Sequence, residues 1–224
     1  MKKADIFSFF HTLESLNPNP ESELVYTNPY TLLVAVILSA QSTDKGVNKA
    51  TESLFKKIKT PEDMLLLGED NLKDYIKTIG LYKSKAKNII KCSQQLIEKF
   101  KGQVPSTKSG LESLAGVGSK TANVLLNVVF DRESFPVDTH VFRVCNRTGL
   151  AKGKNPSGVE EKLEKIVPTP YRKKAHHWLI LHGRYTCKAR QPLCHLCPVS
   201  SVCDYFKKES ASFVPVEPNK RSPV

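Results

Sequence analysis

Several things are missing from this sequence, and each absence removes a class of protein. No segment alternates apolar and polar residues with period two over a strand length, so nothing in the chain argues for a sheet. There is no tandem repeat. The apolar run from Thr31 to Ala40 (TLLVAVILSA) stops far short of the roughly 20 residues a membrane-crossing helix needs. No targeting leader is expected, because Asp5, His11 and Glu14 interrupt the apolar residues that follow Met1-Lys2-Lys3. Glycine (11) and proline (14) are sparse enough in 224 residues that domain edges carry little punctuation. Acid is short relative to base: Lys+Arg 34 against Asp+Glu 22 leave a formal charge of +12 and a pI near 9.4. That excess fits a polyanionic partner, although a lysine-rich proteome would produce it too. A reducing, cytosolic setting is expected, with no membrane partner, and it weakens a disulfide reading of the six cysteines.

The periodicity that is present is helical. Ile6, Phe9, Phe10, Leu13 and Leu16 form one stripe. Asn28-Pro29 has the form of an N-cap and an N1 proline leading into the apolar run. Thr43-Asp44 and Thr60-Pro61 open further helices. Ala86, Ile89, Ile90, Ile97 and Phe100 share a face opposite a lysine-rich one, where Lys83, Lys85 and Lys87 are expected to be solvated or phosphate-facing. Ala122, Leu125, Leu126 and Val129 follow helical spacing, and Asp138 and Asn155-Pro156 mark later helix starts. Ala175, Trp178 and Leu179 line one more helix. The chain is expected to be all-α. Its polar, proline-rich end from residue 207 to 224 is expected to be a disordered tail.

Two places carry chemistry. Leu114-Ala-Gly-Val-Gly-Ser-Lys-Thr121 is a tight glycine hairpin followed at once by Lys120 at a helix start. Backbone N–H groups at such a turn form an anion site, and Gly116 and Gly118 let a phosphate approach without a Cβ clash. This grips a nucleic acid by backbone rather than by sequence. A lone GxG is more often a packing corner; a basic chain and the adjacent lysine favour the phosphate reading. The positive end of the helix opposes the Lys120 charge and favours the free amine, a nucleophile, while a nearby carboxylate would pull the other way. Asp138, by itself, reads as a simple N-cap. The second place is Cys187-x6-Cys194-x2-Cys197-x5-Cys203, a compact four-thiol set for which zinc and iron–sulfur ligation both stand open on chemistry alone. Cys92 and Cys145 fall within helices and read as small buried hydrophobes.

These motifs stand in an order that is specific. Leu114-x-Gly-Val-Gly-x-Lys-Thr-Ala-Asn123, then Val137-Asp-Thr-His-Val-x-Arg143, preceded by Leu38-Ser-Ala-Gln-Ser-Thr-Asp44 and Gly80-Leu-Tyr-x-Ser-Lys-Ala86, resemble the endonuclease III branch of the helix–hairpin–helix DNA glycosylases. The resemblance runs from about residue 20 to 205. One departure is Ala115, where the family usually has a proline that would stiffen the turn.

The resemblance implies a two-domain all-α DNA glycosylase and abasic-site lyase. Residues 21–132 would form a helical bundle, and 1–20 with 133–206 a domain carrying a 4Fe-4S cluster on Cys187, Cys194, Cys197 and Cys203. Lys120 would be the Schiff-base nucleophile and Asp138 its carboxylate partner, facing one another across a DNA-binding cleft. Gln41 would enter the duplex beside the extruded nucleotide and Leu81 would wedge the opposite strand; by themselves they read as a helix-terminal glutamine and a core leucine. Gly116, Val117, Gly118, His140, Lys188 and Arg190 would meet DNA, His140 being equally readable as a backbone-bonding histidine. The expected partner is double-stranded DNA bearing an oxidised or ring-saturated pyrimidine or an abasic site. The enzyme is expected to act as a monomer, associated with the nucleoid if the source is bacterial. An adenine or mismatch glycosylase is the nearest alternative, against which Lys120 speaks. A catalytically silent helix–hairpin–helix module and a cluster-based redox sensor tethered to DNA are the others.

Overall fold

A computed structural model describes residues 1–212 and contains no strand among them. Thirteen α-helices run through the described residues: α1 (Lys3–Leu16), α2 (Pro29–Ser39), α3 (Asp44–Thr51), α4 (Leu54–Lys57) and α5 (Pro61–Leu67). Then come α6 (Glu69–Ile76), α7 (Tyr82–Phe100), α8 (Lys108–Glu112), α9 (Ser119–Val128) and α10 (Thr139–Thr148). The last are α11 (Pro156–Ile166), α12 (Arg172–Tyr185) and α13 (Asp204–Ser212). No helix of the described residues is long and apolar enough to cross a membrane.

The chain forms two compact units. The first holds residues 20–136 and 172–177, and its centre is α2. Every residue of α2 from Tyr30 to Leu38 is buried, which explains a sequence with no polar face. Its start is fixed by a reciprocal cap: Asn28 Oδ1 accepts from the Thr31 N–H at 2.9 Å, and Thr31 Oγ1 accepts from the Asn28 N–H at 3.0 Å. Helices α3, α7 and α9 pack against it, and α5 and α6 pack on α7. Cys92 of α7 is buried as a small apolar residue, and burial pushes its thiol up to about 12.

This unit also takes in residues 133–136 and the first turn of α12, which the sequence reading assigned elsewhere. The cause is polar and aromatic. Asn127 Nδ2 donates to the Arg132 and Lys173 carbonyls, each at 3.2 Å, and Ser134 Oγ donates to the Asn123 carbonyl at 2.8 Å. Arg172 pairs with Glu133 at 2.9 Å and lies over the buried Phe135 ring.

The second unit holds residues 1–19, 137–171 and the chain from Trp178 onward. Ile6, Phe9, Phe10 and Leu13 of α1 form its first core face, with Phe10 stacked on Tyr171 at 5.8 Å. Leu16, expected on that stripe, is 66 % exposed, because α1 ends there and Trp178 Nε1 holds the Asn17 carbonyl at 2.7 Å. Val141, Val144 and Cys145 of α10 and Val159 and Leu163 of α11 complete the core. The tail expected from residue 207 is corrected in part: α13 continues through Ser212, begun by the Lys207 N–H bond to the Cys203 carbonyl at 3.1 Å. The rest of that expected tail, 213–224, lies outside the described residues.

Candidate active site

The glycine hairpin joins α8 to α9, and its two glycines have different physical reasons. Gly116 has φ +80°, and a Cβ there would stand 3.0 Å from Asn88 Cβ, so both conformation and packing demand glycine. Gly118 is the N-cap of α9 at φ −94°, ψ 177°, a conformation any residue adopts, and a Cβ there would meet nothing within 4 Å. No group among the described residues requires that glycine. Its open space suits the approach of something from outside. Val117 between them is buried and pins the loop to the core, so its side chain is no surface contact. Lys120 follows as the second residue of α9 and is exposed. The Ala115 N–H donates to Gln95 Oε1 at 2.7 Å, and Gln95 Nε2 donates to the Ser113 carbonyl at 3.3 Å. A side chain from α7 thus braces the turn that the missing proline would have stiffened.

The loops that carry Gln41 and Leu81 approach one another at Gly80. A Cβ on Gly80 would lie 3.8 Å from the Gln41 carbonyl oxygen. Both residues are exposed, Leu81 at 61 %, and both have left-handed backbones, at φ 56° and 59°. The bland alternative of a core leucine is excluded by that exposure. Lys85 corrects the sequence reading: Lys83 and Lys87 are exposed, but Lys85 is only 5 % exposed. Its ammonium donates to the Leu38 carbonyl at 2.9 Å and to Ser42 Oγ at 3.0 Å, and burial lowers its pKa. A signal was available, since positions 85, 89, 92 and 96 fall on one buried helical face.

In the second unit, Asp138 caps α10, its Oδ1 accepting from the Val141 N–H at 2.8 Å. His140 is half-buried, with Nδ1 3.2 Å from Arg143 Nη2. Arg143 donates through Nε to the Cys187 carbonyl at 2.9 Å and through Nη2 to the Gly183 carbonyl at 2.8 Å. One turn on, Arg147 donates to the Lys188 and Ala189 carbonyls at 2.6 and 2.9 Å. These two arginines clamp the start of the cysteine loop, a role that sequence reading missed because its partners are backbone carbonyls some forty positions away. The clamped loop leaves the Lys188 and Arg190 side chains exposed.

Cys187, Cys194, Cys197 and Cys203 line one cavity of about 320 Å³ including its mouth, with Leu193, Tyr205 and Phe206 in its walls. All four are free thiols. Among the described residues no three His, Cys, Asp or Glu side chains converge as a single metal ion would require. Four thiols spread around an apolar-walled cavity suit a cluster in which each iron takes one thiolate. Burial raises the Cys194 thiol and pushes Cys197 up to about 11, so whatever binds must supply the charge that stabilises thiolates.

An all-α bundle bearing an open glycine hairpin with an exposed lysine, together with a four-cysteine loop, defines a class. Residues 34–169 match the HhH-GPD superfamily of base excision DNA repair proteins, and 187–203 match the iron–sulfur binding domain of endonuclease III. The chain is 56 % identical to endonuclease III of Haemophilus influenzae and 53 % identical to that of Escherichia coli K12. Each match covers 93 % of this chain and 99 % of the relative. A solved structure of a trapped endonuclease III–DNA covalent intermediate superposes with a TM-score of 0.87 at 42 % identity, covering 94 % of this chain and 99 % of that one. The chain therefore belongs to the endonuclease III family: it is a base-excision-repair DNA glycosylase and abasic-site lyase, binds DNA and carries a 4Fe-4S cluster.

Proposed function

We propose that this protein acts as a monomer on double-stranded DNA, removing oxidised or ring-saturated pyrimidines and cutting the strand at the abasic site it makes. Lys120 is the nucleophile. Its free amine attacks C1′ of the damaged nucleoside, the base leaves, and the opened sugar is held as a Schiff base. The protonated imine acidifies the 2′ hydrogen, and β-elimination then expels the 3′ phosphate. Asp138 assists deprotonation of the lysine and offsets positive charge developing on the sugar. The observation that carries this reading is an exposed Lys120 directly beyond a hairpin whose Gly118 has no internal reason to be glycine. A relative trapped covalently on DNA supports the same chemistry.

Base removal requires extrusion of the nucleotide. Gln41 supplies an amide for the orphaned base edge and Leu81 an apolar surface in place of the lost stack. The hairpin holds a backbone phosphate, and Lys188 and Arg190 contact others. His140 is a lesser DNA contact, since its Nδ1 is already close to Arg143. Cys187, Cys194, Cys197 and Cys203 would hold the cluster, which when bound orders the loop bearing those basic residues.

The test uses duplexes carrying thymine glycol, uracil, 8-oxoguanine opposite adenine, or an abasic site, each with borohydride. Covalent trapping and strand scission are expected on the first and last, with little on the others. Lys120→Gln is expected to abolish both while largely sparing DNA binding, and Asp138→Asn to slow turnover. Normal trapping by Lys120→Gln overturns the assignment.

A further inference from the structure

Leu81 and Gln41 hold left-handed backbones, at φ 59° and 56°, that L residues adopt rarely. Such conformations persist only where their surroundings fix them. One residue touches the surroundings of both. The Lys85 backbone N–H donates to the Leu81 carbonyl at 3.0 Å, forming the first hydrogen bond of α7. Its side chain runs the other way, and the ammonium bonds the Leu38 carbonyl and Ser42 Oγ, which flank Gln41 in sequence. The Leu38 carbonyl belongs to the C-terminal turn of α2, the negative end of a helix buried from Tyr30 to Leu38, where a cation is favoured. The Ser42 N–H closes the same turn on the Ser39 carbonyl at 3.0 Å. A buried ammonium with two acceptors has little freedom to move.

We infer that Lys85 is a positioning residue that ties the Gln41 and Leu81 loops into one rigid pair, so that both side chains enter the duplex together. This rests on the proposed insertion of Gln41 and Leu81. Removing the ammonium while keeping the stem, as in Lys85→Met, frees the α2 turn and leaves buried acceptors unpaired. The two loops then move independently, and the cost falls on extrusion of the nucleotide rather than on the Schiff-base chemistry. A duplex substrate needs extrusion; a single-stranded abasic oligonucleotide does not.

The experiment compares single-turnover base release from a thymine-glycol duplex with β-elimination on a single-stranded abasic oligonucleotide, using the cluster-loaded protein. Lys85→Met is expected to lower the duplex-to-single-strand rate ratio by about tenfold or more, since a small misplacement of a positioning group carries losses of that order. Lys85→Arg, which retains donors, is expected to recover part of the ratio. In a Gln41→Ala, Leu81→Ala background, Lys85→Met is expected to change the ratio less than twofold, because there is no longer a pair to hold. An unchanged ratio in Lys85→Met, or an equal fall in both backgrounds, overturns the proposal. If Lys85→Met does not fold, Ser42→Ala carries the test: a ratio lowered by a few fold supports it and an unchanged ratio overturns it. Failure of the wild-type protein to release thymine glycol would overturn the substrate reading instead. Full activity of the Gln41→Ala, Leu81→Ala protein would remove the insertion on which Lys85 is argued to act, and the proposal with it.

Discussion

Gly116 and Gly118 look alike in the sequence and differ in what they protect. At Gly116 the left-handed backbone and the Asn88 contact oppose any side chain, so Gly116→Ala is expected to destabilise by about 1–3 kcal/mol in urea titrations. At Gly118 an added methyl meets nothing. The lost freedom of the unfolded chain and the poorer cap it makes oppose each other, so stability is expected to stay within about 0.5 kcal/mol. DNA affinity, read by anisotropy with an abasic-analogue duplex, is expected to fall about tenfold as the methyl intrudes on the phosphate. Ala115 allows a second prediction. Proline there would delete the N–H that Gln95 accepts, so Ala115→Pro is expected to cost about 1 kcal/mol, measurable in the same titrations. The contrast explains what sequence can and cannot carry at this level. The hairpin, Lys120, Asp138 and the four cysteines lie in short motifs of fixed order and spacing, so their pattern survives in one dimension. Gln95, Arg143 and Arg147 act on carbonyls many positions away, and no local pattern marks them.

Among the helices, starts were easier to read than ends. Asn28, Thr43, Thr60, Asp138 and Asn155 all cap as their residue types predict, because the cap is a contact between residues three apart. Which face of a helix is buried needs the full period: beside Lys83 and Lys87, Lys85 invites a surface reading that the buried face of α7 overrules. Helix α5 offers a pH test of capping. Thr60 Oγ1 accepts from the Asp63 N–H, and Asp63 Oδ2 accepts from the Lys59 and Thr60 N–H groups at 2.9 and 3.0 Å. The Lys59 N–H, then that of Thr60, hold the Asp63 carboxyl below its usual 3.8. A carboxyl depressed in the folded state contributes stability that is complete above the unfolded value and is lost as pH falls through the folded one. The Asp63→Asn protein is therefore expected to be less stable than the parent at pH 6, with the gap narrowing as pH falls below about 4. A gap constant from pH 6 to pH 3 would show that the charge of Asp63 contributes nothing. Thr60→Ala, which removes the other half of the cap, is expected to lose about 1 kcal/mol at pH 6.

For the whole molecule the formal charge of +12 says only that DNA binding weakens with salt; it does not say which lysines and arginines carry the effect. The structure sorts them. Arg143 and Arg147 spend their donors on backbone carbonyls of the cysteine loop, and the Lys85 ammonium is buried. Lys188 and Arg190 stand exposed on the loop that the two arginines hold. Each phosphate neutralised adds about −0.9 to the slope of log affinity against log salt for duplex DNA. Replacing Lys188 and Arg190 together by glutamine is expected to make that slope shallower by about 1.8, with weakening independent of the lesion. Lys85→Met is expected to leave the slope unchanged, because its ammonium neutralises no phosphate. Arg147→Gln separates the two cases: it removes no phosphate contact of its own, yet it releases the carbonyls of Lys188 and Ala189. Its slope is expected to shift toward that of the Lys188, Arg190 double replacement only if the clamp positions those side chains for DNA. Anisotropy titrations across a salt series on one abasic-analogue duplex measure all three. A full-length slope in the double replacement would place the phosphate contacts elsewhere on the basic surface, with the exposed Lys83 and Lys87 next to be changed.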